Sequence, residues 1–411
     1  MRLTPKTTTN PSVDSHEVLQ LLYYTDVFAP TIVNYAMLLA QGIAAHRNLL
    51  GNRDVEITVV TATPAGSFDD RTLPFGVIRK PSPYRLWNLI GRADVIQLAG
   101  PCFLPLLFSL VRRRPIAIEH HGYQAVCPNG LLFYNPAQSV CPGYFQSRNL
   151  GKCVECNARK IGWIRSLRDT AMCLPRQWMA SRVSTNICIT HHVERRIRLP
   201  HSLVIHYGVA QTAISASRPS ASTASGRRSL VFAYAGRFVP EKGLDVLLRA
   251  CQHLMKEDCP FQLRLIGDGP ERSSLERLAQ ELSLTGAVRF TGILQGAEYE
   301  KELADVDVMV MPSLWEETAG LSAIEQMARG RTAVVSNLGG LGEVVGDAGL
   351  QTTPGDASAL AACLRRLVDE PDLLRELAIR AKNRSVAVFS LDRMIDEHFQ
   401  VFKNISAGAA E

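Results

Sequence analysis

Two cations and two carboxylates in the second half of the chain have the types and spacing to do chemistry. Arg237 and Lys242 lie in Gly236-Arg237-Phe238-Val239-Pro240-Glu241-Lys242-Gly243, between the apolar run Leu230–Ala235 and the helical pattern Leu244–Met255. A glycine-bounded turn between strand and helix lets a ligand approach the backbone and offers unpaired helix N-terminal amides. Two positive charges beside it make an anion site that suits a diphosphate. The turn Gly267-Asp268-Gly269-Pro270-Glu271 ends the next strand as a second anion-friendly turn at the sheet's carboxyl edge, and is also what any tight turn uses. Glu317 and Glu325 fall within Pro312–Gly330, Glu317 in the loop before a helix and Glu325 on its face with Leu321 and Ala328. A carboxylate on an apolar face is costly unless paired or ligand-bound, and carboxylates accept well from vicinal hydroxyls. A sugar and a ribose are natural partners, with the amides of Thr318 to Leu321, Gly320 included, placed to hold polar groups. In the first half, the strand pattern Ile116–His120 runs into His121-Gly122-Tyr123-Gln124-Ala125-Val126-Cys127-Pro128. That puts a histidine at a strand's carboxyl end, His121 in one register and His120 in the other.

The elements that must position these groups read as α/β. Val18–Tyr24, Val55–Thr61, Asp94–Leu98, Ile116–His120 and Asn186–Thr190 are expected strands in the first half. Leu230–Ala235, Gln262–Ile266, Val288–Thr291, Val308–Met311 and Thr332–Ser336 repeat the rhythm in the second, with helices such as Leu244–Met255 and Leu321–Arg329 between them. Two doubly wound, Rossmann-like sheets are expected, and ligands of open α/β sheets sit beyond the carboxyl ends of the strands, so the two would face each other across a cleft. The domains are expected at 1–214 and 229–390, joined by a linker over 215–228 that is too rich in serine and alanine to pack. The amphipathic end, 391–411, is expected to cross back onto the first domain.

A chain of 411 residues with 46% hydrophobic and 20% charged content is globular, which excludes disorder. The longest apolar run, Pro101–Val111, falls short of a bilayer span and suits a buried or interfacial helix. The polar stretch Met1–Glu17 lacks the apolar region of an export signal, so the cytoplasm is the expected compartment, either free or on the inner membrane face. Charge is uneven: residues 1–215 carry 23 Lys+Arg against 12 Asp+Glu, and residues 216–411 carry 22 against 27. A basic first half suits an anionic membrane, nucleic acid or an anionic substrate.

Taken in order, Gly-Arg…Glu-Lys-Gly, Gly-Asp-Gly-Pro and Pro-Ser…Glu317-x7-Glu325 with the trailing Met327-Ala328-Arg329-Gly330 resemble the retaining glycosyltransferases of family 4, of the GT-B fold. The likeness covers about 170 residues well, and Ile205-His206-Tyr207-Gly208-Val209 looks like the family's strand before the interdomain linker. The resemblance implies that Arg237 and Lys242 hold the donor diphosphate, Glu325 the ribose hydroxyls, and Glu317 with the Gly320 and Leu321 amides the donor sugar. It also implies retention of anomeric configuration, front-face attack by the acceptor and no cofactor for catalysis. His121 matches the family's active-site histidine, which contacts the donor sugar and helps position the acceptor. Gly122 replaces the aspartate usual after it, and Phe28–Asn34 lacks the usual glycine pair, so that loop is expected to shape an acceptor site instead. Expected partners are a nucleotide-diphosphate sugar and a glycan or lipid-linked acceptor, in surface polysaccharide or lipid-linked glycan synthesis. The rivals are a GT-B nucleotide-sugar epimerase and a non-catalytic nucleotide- or glycan-binding scaffold.

Two features stand outside that pattern. Cys127, Cys141, Cys153 and Cys156 are spaced C-x13-C-x11-C-x2-C, and a subset of similar transferases shares such a four-cysteine insertion. A structural zinc, reduced thiols and disulfides are the three readings, with zinc the expectation. Four thiolates would leave no open position for catalysis. Between Arg159 and Arg182, basic residues mingle with Trp163, Ile164, Trp178 and Met179, which suits either an anionic membrane surface or a solvated basic helix with packed tryptophans. No nucleic-acid motif accompanies the charge, so nucleic acid is not an expected partner.

Overall fold

Runs of β-branched and apolar residues build two parallel sheets, seen in a computed structural model that describes residues 18–28, 35–45, 54–64, 69–210 and 229–408. In the first half the strands are β1 (Leu19–Thr25), β2 (Val55–Thr61), β3 (Gly76–Arg79), β4 (Val95–Ala99), β5 (Ile116–His120), the two-residue strands β6 (Phe133–Tyr134) and β7 (Ser139–Val140), β8 (Thr185–Cys188) and β9 (Ser202–Val204). The second half has β10 (Leu230–Ala235), β11 (Phe261–Ile266), β12 (Val288–Gly292), β13 (Val308–Met311), β14 (Thr332–Ser336) and β15 (Leu350–Thr352). Their orders are β3-β2-β1-β4-β5-β8-β9 and β12-β11-β10-β13-β14-β15, each reversing direction beside its first strand, as doubly wound sheets do. The ladders run parallel, so helices cover both faces and the central strands are largely buried, which is why they read as mainly apolar runs.

Several boundaries differ from the sequence expectation for local reasons. The strand expected at Asn186–Thr190 pairs instead over Thr185–Cys188, because the Thr190 side chain leaves the sheet to cap the helix His191–Ile197, accepting from the Val193 amide. Ile205–Val209 is not a strand. The ladder stops at Val204, and Gly208 lies so close to the Leu391 backbone that a Cβ would collide with it. Val209 then forms a lone bridge to Ser390. Strands β3, β9 and β15 are three or four residues long and lie at or next to sheet edges, where few apolar positions are needed to bury them. The expected linker 215–228 and Ala29–Asn34 of the first loop lie outside the described residues.

The helix Leu391–Ala407 starts at a Ser390 cap and packs on the helix Tyr35–Ala45 and on β4 and β5, burying Met394, Ile395, His398, Phe399 and Phe402. The run Pro101–Val111 forms the helix Phe103–Val111, packed against β4 and the helices Pro83–Arg92 and Trp163–Ala180. Among the described residues no helix is long and apolar enough to cross a membrane.

The halves meet through polar contacts. Thr190 Oγ1 donates to the Thr318 carbonyl at 2.8 Å, Tyr123 Oη to the Glu316 carbonyl at 3.0 Å, and Arg196 Nε to the Glu316 carboxylate at 2.8 Å. Glu343 accepts from the amides of His191 and His192 at 2.8 and 3.0 Å and faces His206 Nε2 at 3.0 Å. Burial alone would raise its carboxyl, but His206 and the two amides outweigh that and hold it at about 2, ionised in place at the start of a helix.

Candidate active site

The sequence-predicted donor residues gather at the carboxyl ends of β10 and β13. After β10 the chain makes a single turn, Pro240–Lys242, then Gly243 at φ 66°, where a side chain would strike the Pro312 carbonyl, and enters the helix Leu244–Lys256. Leu314 N donates to Glu241 O at 2.9 Å and ties this turn to the loop after β13. Across that tie, Lys242 Nζ forms an ion pair with Glu317 and sits 5.2 Å from the centre of the Trp315 ring. Glu317, buried, also accepts from Ser313 Oγ at 2.8 Å. Residues 75 positions apart thus form one unit, a cation held beside a carboxylate under an aromatic face. Arg237 is exposed and has no ion-pair partner among the described residues, so its guanidinium is available to an anion.

Gly320, at φ 84°, precedes the helix Leu321–Ala328, and Ser322 Oγ fastens that helix to the end of β10 through the Ala235 carbonyl at 3.0 Å. The first-turn amides at Gly320 and Leu321 therefore point out of the chain's own hydrogen-bond pattern, as helix starts do. Glu325 lies one turn further along. Burial pushes its carboxyl up to about 7, with Glu300 adding to the rise and Arg329 only partly opposing it. A dehydrated carboxylate is poised to accept from hydroxyls. Because the folded value lies above the ordinary 4.5, the neutral form is the one the fold favours, and stability present below about pH 4.5 is lost as pH rises through 7. Glu325→Gln should raise the melting temperature of the ligand-free protein at pH 8, by on the order of 1–3 kcal/mol of stability, and change little near pH 4.5. An equal gain at both pH values would show that Glu325 is not the titrating group.

The turn Gly267–Glu271 serves structure. Phe238 N donates to Asp268 O at 2.9 Å and Glu271 N to Phe238 O at 3.1 Å, so it braces the Arg237 turn from behind.

On the facing edge, His121 follows β5 with its side chain 26% accessible, while His120 is fully buried and bonded through Nε2 to Asn186 Oδ1 at 2.8 Å. Burial pushes His120 down to about 4, so it is neutral at pH 7 and cannot be the cleft histidine. The His121 ring packs against Tyr35 and stacks at 17° on Tyr207, with Nδ1 2.9 Å from Tyr207 Oη. His121 and Glu317 do not touch. They are brought to opposing edges by the bond from Tyr123, two residues after His121, to the carbonyl of Glu316.

Sequence reasoning missed Glu119, Tyr123, Thr190, Arg196, Glu316 and His398. Glu119 had a signal, a carboxylate inside the apolar strand Ile116–His120, where burial demands partners. The others act across the chain and have no local motif.

The cysteines of the insertion are buried and unpaired. Cys127 Sγ donates to Asn129 Oδ1 at 2.9 Å, Asn129 Nδ2 to Cys156 Sγ at 3.4 Å, and Cys141 lends its carbonyl to Arg196 at 2.9 Å. The insertion therefore braces the Arg196–Glu316 contact. The Cys153 thiol interacts electrostatically with those of Cys127, Cys141 and Cys156, while no group of three His, Cys, Asp or Glu placed to hold a metal ion occurs among the described residues.

The architecture is GT-B, two Rossmann-like domains facing each other. Anabaena Alr3699/HepE, solved with UDP and glucose, superposes with a TM-score of 0.66 over 93% of this chain and 98% of that one, at 18% identity. A glycosyltransferase from Rickettsia africae gives 0.67 over 94% and 98%, at 15%. Residues 219–384 match the family described as glycosyl transferases group 1. The 2-deoxystreptamine glucosyltransferase of Streptomyces kanamyceticus is 34% identical over 34% of this chain, and the MMP alpha-(1->4)-mannosyltransferase of Mycolicibacterium hassiacum 36% identical over 44%. The chain spans 37% and 45% of the length of those two curated relatives.

Proposed function

We propose that the chain is a retaining glycosyltransferase of family 4 type, moving a sugar from a nucleotide-diphosphate sugar to a hydroxyl. The observation that carries it is the Lys242–Glu317 pair with exposed Arg237 and the dehydrated Glu325, all at the carboxyl edge that faces His121. Arg237, Lys242 and the start of the helix Leu244–Lys256 stabilise the nucleoside diphosphate as its charge develops, and Glu325 accepts from the ribose hydroxyls. Glu317 and the Gly320 and Leu321 amides take the sugar hydroxyls, while His121 contacts the sugar and helps position the acceptor for attack on its front face. Family matching in the donor half, and curated relatives named as glucosyl- and mannosyltransferases, support the reading. Incubation with UDP-, GDP-, ADP- and CMP-linked sugars and glycan or lipid-linked acceptors tests it. A product with the donor's anomeric configuration supports retention, inversion overturns it, and binding without cleavage by any acceptor or water would point to a scaffold.

The acceptor is proposed to be a growing surface polysaccharide or a lipid-linked glycan, reached by an enzyme at the cytoplasmic membrane face. In support, neither tryptophan of the basic stretch packs inside. Trp163, Ile164 and Trp178 are 65, 87 and 56% accessible on the helix Trp163–Ala180, whose exposed arginines include Arg165 and Arg168. Apolar side chains standing in water among cations suit an anionic interface. The protein should sediment with vesicles containing phosphatidylserine and much less with neutral ones, and Trp163→Ser with Ile164→Ser should abolish the difference. Equal sedimentation with both vesicle types would refute the contact.

For Cys127, Cys141, Cys153 and Cys156 we propose a structural zinc held by the four thiolates. Purified protein should carry about one equivalent, released only on unfolding or strong chelation. Under about half an equivalent with reactive thiols would end the proposal.

A further inference from the structure

Glu119 is a wholly buried carboxylate at the centre of side chains from four parts of the chain. Tyr23 of β1 donates to its Oε2 at 3.4 Å, Tyr35 donates to its Oε1, and His398 of the last helix places Nε2 at 2.9 Å from Oε1. His121 Nε2 lies 3.6 Å from Oε2, too far for a hydrogen bond and close enough for strong charge–dipole attraction. His398 Nδ1 faces the Met394 carbonyl at 2.7 Å, so the ring is held at both nitrogens. The hub is therefore a carboxylate ringed by two phenolic hydroxyls and an imidazole, polar partners that make a buried charge tolerable. Burial alone would raise the Glu119 carboxyl; the two imidazoles outweigh it and hold the group well below the carboxylate range.

We propose that Glu119 is the positioning residue of His121 and that His398, reaching from the final helix, holds Glu119 in place. The carboxylate beside Nε2 favours a proton on that nitrogen, which leaves Nδ1 to accept from Tyr207 Oη. At 3.6 Å the carboxylate sets the ring's tilt and tautomer by charge–dipole attraction without a full hydrogen bond. The helix Leu391–Ala407, which follows the donor domain, is thereby a working part of the acceptor-side edge. The importance of this for turnover rests on the transferase reading above; the positioning itself does not.

The test is nitrogen-15 spectroscopy of histidine-labelled, ligand-free protein, with kinetics alongside. In wild type His121 should show a protonated Nε2 and an accepting Nδ1. In Glu119→Gln the amide can offer either end to the ring, so the tautomers should mix, while His120, held by Asn186, keeps its resonances and reports an intact fold. His398→Leu should disturb His121 in the same way, and His398→Gln, which restores a donor to Glu119, should return it towards wild type. This pair carries the test should Glu119→Gln fail to fold. Transfer by Glu119→Gln should fall about tenfold or more in kcat, with donor KM within about twofold. Unchanged His121 resonances in both Glu119→Gln and His398→Leu would overturn the proposal. A wild type that turns over no nucleotide sugar would instead overturn the transferase reading and leave the spectra to decide the positioning.

Discussion

Lys242→Ala should remove nearly all the thermal stabilisation that the matching nucleoside diphosphate gives the wild type, and lower transfer by about 10²–10³-fold. At a ligand concentration of roughly a hundred times Kd, wild type gains about 2.7 kcal/mol; a hundredfold loss of affinity leaves about 0.4 kcal/mol. The side chain has two jobs, however, because it also neutralises buried Glu317. Breaking such a pair from one side leaves an uncompensated charge and costs on the order of 3 kcal/mol of stability. The double variant Lys242→Ala/Glu317→Gln separates the two. It should recover most of that stability and none of the diphosphate response. UDP, GDP and ADP, with the monophosphate CMP as the control, run in parallel by thermal shift on the three proteins, make the comparison, and recovery of diphosphate binding in the double variant would place the diphosphate elsewhere.

His121→Phe should have the complementary signature. Phenylalanine keeps a ring of similar size between Tyr35 and Tyr207 but offers no nitrogen to the sugar or to Tyr207 Oη. Transfer should fall by about 10²-fold or more, as for the loss of a transition-state hydrogen bond. The diphosphate response should match wild type, since Arg237 and Lys242 lie on the other edge. Steady-state kinetics and thermal shift on one preparation decide it. Transfer within about threefold of wild type would remove His121 from the sugar site.

The sequence alone carried the parallel α/β wiring, because strands of covered sheets are mostly apolar and β-branched, and Val55–Thr61, Ile116–His120, Leu230–Ala235, Val308–Met311 and Thr332–Ser336 stand where their residues place them. It also singled out Arg237, Lys242, Glu317 and Glu325 as donor-site candidates, because glycine, charge and carboxylates recur there within a few residues of strand ends. Edge strands such as β3 and β9 were illegible, since three or four residues carry little pattern. The segment Ile205–Val209 departs from the strand that the resemblance implied, because Gly208 packs against the Leu391 backbone there and the ladder ends at Val204. What only the tertiary structure decided was pairing at a distance. Lys242 lies against Glu317, Tyr123 reaches Glu316, and Glu119 gathers His121 together with His398 from 279 positions along the chain. Spacing in a linear chain encodes the turn of a helix or the alternation of a strand, a few residues at most. Which buried carboxylate meets which imidazole is set by how sheets and helices stack, and no local period records that.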